Sequence, residues 1–192
     1  CKVRLVDCVG YLVDGALGHT EEDAPRMVST PWSDQPMPMA EAAELGTRKV
    51  IADHSTIGLV VTTDGTVTDI PRENYLEAED RVIRELLGLH KPFLVLVNSV
   101  QPQGPAAQEI CRQIADTYDV TALAVDCLNM DADRMANVLK SVVYEFPVRE
   151  VGIVLPPWVG TLPAGHRVKE EAYSGIRSQA AHIGRMRDMK AC

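Results

Sequence analysis

Apolar runs and helical patterns alternate along most of the chain. Residues 3–6 form a short apolar run that ends at Asp7. Residues 57–61, 93–97, 120–125 and 151–155 form further runs with little polar alternation. Such runs predict strands buried on both faces, as a parallel sheet requires. Between them lie four stripes with the three-and-four spacing of amphipathic helices. Met39, Ala42, Ala43, Gly46 and Val50 make the first, and Tyr75, Ala78, Val82 and Leu86 the second. Ile110, Ile114 and Tyr118 make the third; Met135, Val138, Leu139 and Val142 make the fourth. This alternation predicts an α/β fold, doubly wound, with a mostly parallel sheet and right-handed crossovers.

Two segments break the rhythm. Residues 10–38 are too many for an ordinary connection. They hold Gly10, Gly15, Gly18, Pro25, Pro31, Pro36 and Pro38, with acids at Glu21, Glu22 and Asp23. They read as a functional loop, either ordered or mobile. After Pro147 the pattern changes, and Pro156 and Pro157 punctuate it. A long helix is predicted over 166–190, with Val168, Ala172, Ile176, Ile183 and Met186 on one stripe. The boundary between domains is placed between Phe146 and Pro147, giving regions 1–146 and 147–192.

Composition narrows the function classes. A chain of 192 residues suits one sizeable domain, with or without an appendage. The net charge of −8 argues against a nucleic-acid partner. Residues 1–165 carry 13 basic and 24 acidic groups, whereas 166–192 carry 6 basic and 3 acidic. The basic tail is either a contact surface or a solvated helix face. No apolar run approaches the roughly 18 residues of a membrane span, so no transmembrane segment is expected. Lys2, Arg4 and Asp7 interrupt the first apolar stretch, unlike a signal peptide. The five cysteines, Cys1, Cys8, Cys111, Cys127 and Cys192, are odd in number and include no C-x-x-C pair. That disfavours a disulfide framework or a zinc site and fits a reducing interior. Cys8 and Cys127 each follow an apolar run and read as buried structural thiols.

Ligands of open α/β sheets bind at the carboxyl ends of the strands. The first run ends in Asp7-Cys-Val-Gly10. A carboxylate there can hold Mg²⁺ through a water, as in nucleotide hydrolases. A glycine three residues later lets a backbone N–H approach a terminal phosphate. The competing reading is an aspartate that caps a turn. The run 93–97 ends in Asn98-Ser-Val-Gln101. Guanine-reading proteins carry Asn-Lys-x-Asp at this position. Ser99 and Gln101 replace the lysine and the carboxylate, so guanine selectivity loses its basis and adenine is favoured. Asn98 also suits a plain turn. Asp126-Cys127-Leu128 ends the next run and would offer a further base-side loop. Thr62-Thr-Asp-Gly-Thr66 offers hydroxyls to a phosphate, or a turn. Asp53-His54-Ser55 has triad residue types, but sequence neighbours do not make triad geometry. The five histidines show no i, i+4 pair. No G-x-x-x-x-G-K-[ST] string occurs.

The strings Lys2-Val-Arg-Leu-Val-Asp-Cys-Val-Gly-Tyr11, Pro25-Arg-Met-Val-Ser-Thr-Pro-Trp32 and Gly46-Thr-Arg-Lys-Val-Ile51 are long and unusual. So are Ile70-Pro-Arg-Glu-Asn-Tyr75, Val97-Asn-Ser-Val100, Tyr144-Glu-Phe-Pro-Val148 and Leu155-Pro-Pro-Trp-Val159. Through them nearly the whole chain resembles the stage IV sporulation protein A family. The resemblance implies a P-loop domain related to translation-factor GTPases that nonetheless binds and hydrolyses ATP. It implies irreversible self-assembly into a homopolymer, the basement layer of the spore coat, at the outer forespore surface in the mother-cell cytoplasm. A small amphipathic forespore-membrane peptide tethers that layer, which recruits other coat morphogenetic proteins. Asp7 matches the family's Mg²⁺-site aspartate. Gly10, Asn98 and Ser99 are the candidate nucleotide-binding residues. The P-loop lysine and sensor threonines are expected upstream, with Cys1 a segment edge and the family's C-terminal portion beyond Cys192. Residues 1–146 would then be the C-terminal part of the ATPase domain, and 147–192 the start of a middle region. On this reading the segment alone is inactive. Two alternatives stay open: a non-catalytic module that scaffolds polymer contacts, and a guanine-nucleotide switch.

Overall fold

The computed structural model describes residues 3–21 and 24–190. Cys1, Lys2, Glu22, Asp23 and Cys192, singled out above, lie outside the described residues. The chain divides into two compact units, Cys1–Val138 and Leu139–Cys192.

The first unit is built on a parallel sheet of three strands, β5 (Gly58–Thr63), β6 (Phe93–Asn98) and β7 (Ala122–Val125), in that order. The register runs from Gly58 opposite Phe93 to Thr63 opposite Asn98, and from Val95 opposite Ala122 to Asn98 opposite Val125. β6 is central, and Phe93 to Val97 are all buried. Val95 and Val97 pack with Ile83 and Leu86 of α2 (Leu76–Gly88) and with Cys111 and Ile114 of α3 (Pro105–Tyr118). Leu94 and Leu96, on the opposite face, are buried as well. Pro105 sits at the start of α3, where its missing N–H costs nothing. Asp119 ends the helix in the left-handed conformation at φ 53°.

The predicted helices at 39–50, 75–86, 110–118 and 135–142 appear as α1 (Met39–Lys49), α2, α3 and α4 (Ala132–Tyr144). α1 continues into a π turn at Val50–His54. The long loop carries two antiparallel hairpins: β1 (Thr20–Glu21) with β2 (Ala24–Pro25), and β3 (Met27–Thr30) with β4 (Ser33–Pro38). Trp32, in the turn of the second hairpin, lies against Gly46 of α1.

Three predicted elements differ. Residues 3–6 are not a strand: they are exposed, and no described strand pairs with them. Residues 151–155 likewise form no strand, and Val154 is 97% exposed. An apolar run needs a neighbouring strand to take its backbone hydrogen bonds. The helix predicted over 166–190 is divided. α6 covers Arg167–Ala180, following the short α5 (Pro157–Thr161), and a 3₁₀ turn covers Met186–Lys190. The break has a local cause. The Asp188 carboxylate accepts the Gly184 and Arg185 N–H groups at 2.8 and 2.6 Å. The chain then bridges back, with Val148 N–H donating to Gly184 O and Met186 N–H to Phe146 O. No described helix is long and apolar enough to cross a membrane.

Candidate functional site

Three loops leave the carboxyl edge of the sheet, and hydrogen bonds fasten them to one another. Asp64 N–H donates to Asn98 O at 3.2 Å, and Ser99 N–H donates to Val125 O at 2.9 Å. Cys127 N–H donates to Asn98 Oδ1 at 3.0 Å, so Asn98 ties the loop after β6 to the loop after β7. Val100 N–H donates to Thr66 Oγ1 at 3.2 Å, which ties the β6 loop to the β5 loop. Ser99 is 1% exposed. Its hydroxyl accepts from Gln101 N–H and bonds the Asp64 carboxylate. Ser99 therefore shapes the loop from inside.

Asp64 accepts from Thr66 N–H at 3.0 Å and from Thr66 Oγ1 at 2.6 Å. Partial burial pushes its carboxyl up, but the hydrogen bonds from Ser99 and Thr66 outweigh this and hold it below the usual value of 3.8. Gly65, at φ 88°, makes the turn: a Cβ there would also lie 3.2 Å from the Arg72 backbone nitrogen. Asp126 closes the third loop through Asn129 Nδ2 at 2.8 Å and the N–H groups of Leu128 and Asn129, which hold its carboxyl low. Cys127, expected buried, is exposed at this edge, and Cys8 is half-buried. Both lie in loops past the end of their runs. Cys111 is the buried thiol, and burial pushes it up to about 11.

A cavity of about 360 Å³ opens beside β5. Asp7, Gly10 and Tyr11 line one side, and Thr47, Thr62 and Glu79 are also in its wall. Asp7 is exposed, and its Oδ1 accepts the Cys8 N–H at 2.9 Å. Gly10 holds φ 84°, and its N–H donates to Thr47 Oγ1 at 3.0 Å. Asp7 offers one exposed carboxylate with no cage around it. That suits Mg²⁺, which keeps several waters and takes one or two protein carboxylates beside substrate phosphates. Among the described residues no group of three or more His, Cys, Asp or Glu could hold a metal by itself. The structure brings Asp7 and Gly10 to one cavity. Asn98 and Ser99 belong to the edge loops and are not in its lining.

Three supporting contacts have no sequence motif. Thr47 is buried on the apolar face of α1, and a hydroxyl amid Ala42, Ala43 and Gly46 is the one hint the sequence offers. Arg72 makes paired bonds of 2.7 Å to both oxygens of Glu79, and its Nη1 reaches Thr62 Oγ1 at 2.9 Å. Lys91 Nζ donates to the carbonyls of Ile51, Ala52 and Ser55 at 2.6, 2.6 and 2.7 Å, closing the carboxyl end of the π turn.

Fold and site together define an α/β protein whose chemistry-bearing residues gather at the carboxyl edge of a parallel sheet and in the cavity beside it. The chain belongs to the stage IV sporulation protein A family. The model of that family's ATPase domain matches residues 1–147. The chain is 45% identical over 188 residues to stage IV sporulation protein A of Bacillus anthracis, covering 98% of this chain. It is 46% identical over 188 residues to that of Bacillus subtilis (strain 168), and 44% identical over 189 residues to that of Clostridioides difficile (strain 630). The chain spans 38% of the length of each of these relatives. No solved structure matches it.

Proposed function

We propose that this chain is part of a sporulation ATPase that binds ATP with Mg²⁺ and hydrolyses it to drive self-assembly of the spore coat basement layer. The observation that carries the reading is the Asp7-x-x-Gly10 turn in a cavity wall, inside the span matched by the family's ATPase domain. The fold we assign is of P-loop NTPase type, translation-factor-related and doubly wound, with the lysine-bearing phosphate loop supplied from outside residues 1–192. Residues 1–146 belong to that ATPase domain and 147–192 to a following middle region. The working location is the mother-cell cytoplasm, at the outer forespore surface. Other copies, an amphipathic membrane peptide and further coat proteins are the partners of the whole protein.

Each residue has a defined task. Asp7 would hold Mg²⁺ through a water, and the ion would supply charge neutralisation for the nucleotide's phosphates. The Gly10 N–H addresses the terminal phosphate without a side chain in the way. Asn98 fixes the two base-side loops relative to each other, and Ser99 and Asp64 brace them. Gln101 is exposed where a guanine-reading carboxylate would stand, which favours adenine. The test is steady-state ATP turnover by the full-length protein with Mg²⁺. Asp7→Asn should lower turnover by about 10²–10³-fold, the scale of a lost electrostatic contact in the transition state. A melting curve must show the variant folded. Normal turnover by folded Asp7→Asn refutes the assignment. ATP turnover equal in the presence and absence of Mg²⁺ does so as well.

A further inference from the structure

We propose that Thr47 is an internal competitor for the nucleotide's terminal phosphate and so sets how strongly the protein distinguishes a triphosphate from a diphosphate. The inference rests on the reading above, in which the Gly10 N–H addresses that phosphate. A backbone amide has one hydrogen to give. In this structure Gly10 gives it to Thr47 Oγ1 at 3.0 Å, across 37 residues of sequence. Thr47 is 3% exposed and fixed on α1, so its hydroxyl is held in place. Gly10 contributes conformation, not space. A Cβ at Gly10 would meet nothing within 4 Å, yet φ is 84°. The positive φ is what favours glycine at this position. Both residues line the same cavity as Asp7, so the contact lies within the proposed site.

The two acceptors differ in strength. A hydroxyl is neutral, whereas a phosphate oxygen is ionised and makes hydrogen bonds roughly twice as strong. A terminal phosphate therefore takes the amide from Thr47, but its affinity is reduced by the bond it replaces. A diphosphate has no group at that position and leaves the Gly10–Thr47 bond intact. Thr47 thus lowers affinity for the triphosphate selectively, and the Asp7–Gly10 loop is docked on α1 whenever no terminal phosphate holds it.

The experiment uses the full-length protein with Mg²⁺, a non-hydrolysable ATP analogue and ADP. Thr47→Val keeps the shape and removes the acceptor; Thr47→Ser keeps the acceptor. Thr47→Val should bind the analogue about three- to ten-fold more tightly, the size of one net hydrogen bond. Its ADP affinity should stay within about two-fold, as the diphosphate leaves that bond alone. Thr47→Ser should match the wild type for both ligands. Weaker analogue binding by Thr47→Val, or equal changes for analogue and ADP, would show that Thr47 only supports the fold. An unchanged ratio of the two affinities would equally overturn the proposal. Wild-type turnover dependent on Asp7 beside an unchanged ratio removes Thr47 alone. Turnover indifferent to Asp7→Asn removes the underlying reading with it.

Discussion

Arg72 and Glu79 show how a single side chain can hold the wall of the candidate site. Their side chains are 18% and 6% exposed, and Thr62 at the end of β5 completes the set. Removing one partner of a buried pair strands the other charge, at about 3–5 kcal/mol. Glu79→Ala should therefore lower unfolding stability by roughly 3 kcal/mol in urea titrations. The double variant Arg72→Met/Glu79→Leu should recover most of the loss. A change below about 1 kcal/mol in Glu79→Ala would mean that solvent screens the pair. Asp64 makes a pH-dependent contribution. Its pKa is depressed in the folded protein, so its stabilisation is present above the unfolded value near 3.8. The contribution is lost as pH falls through the lower folded value. The stability difference between wild type and Asp64→Asn should be constant from pH 7 to about 5 and shrink below about pH 4. Parallel curves across that range would count against it. Asp7 and Asn98 were visible as candidates because each follows an apolar run, and Gly10 because it lies three residues past Asp7. Thr47 was not, because its meaning comes from a partner 37 residues away.

At the scale of elements, α1 to α4 and the strands β5 to β7 follow from local pattern. A helix stripe or a continuous β-branched run carries its own explanation. The runs at 3–6 and 151–155 look the same in sequence, yet neither is a strand here. Pairing is a property of two segments, and no described strand pairs with them. The division of the last helix was hidden for a related reason. The stripe through Ile183 and Met186 fits a helix, but Asp188 captures the N–H groups of Gly184 and Arg185. The loop after β6 also changes how base preference should be tested. Lysine at position 99 would enter a buried place occupied by a hydroxyl bonded to Asp64. Position 101 is exposed, so Gln101→Asp is the cleaner substitution. It should shift competition binding of the full-length protein toward GTP by about ten-fold, the scale of a charge-assisted bond. An unchanged ATP-to-GTP ratio would show that the base does not contact this loop.

At the scale of the whole molecule, the open side of the sheet matters most. β5 is an edge strand, and Val61 on it is 60% exposed. Val3, Leu5, Val6 and Val9 add exposed apolar surface in the same unit. Uncovered edges of this kind pair readily with other chains. The isolated segment 1–192 should self-associate without nucleotide. Sedimentation over a wide concentration range is the measurement, and a monomer at all concentrations would refute the expectation. The two compact units have another consequence. The sequence contains 2 tryptophans, and Trp32 lies in the first unit while Trp158 lies in the second. Each unit thus carries its own optical reporter. Trp32 is stacked on Gly46, one residue before Thr47, so its emission should follow the docking of the β3–β4 turn onto α1. Replacing either indole with phenylalanine leaves the other as the sole tryptophan emitter, and the two variants let the units' melting be followed one at a time.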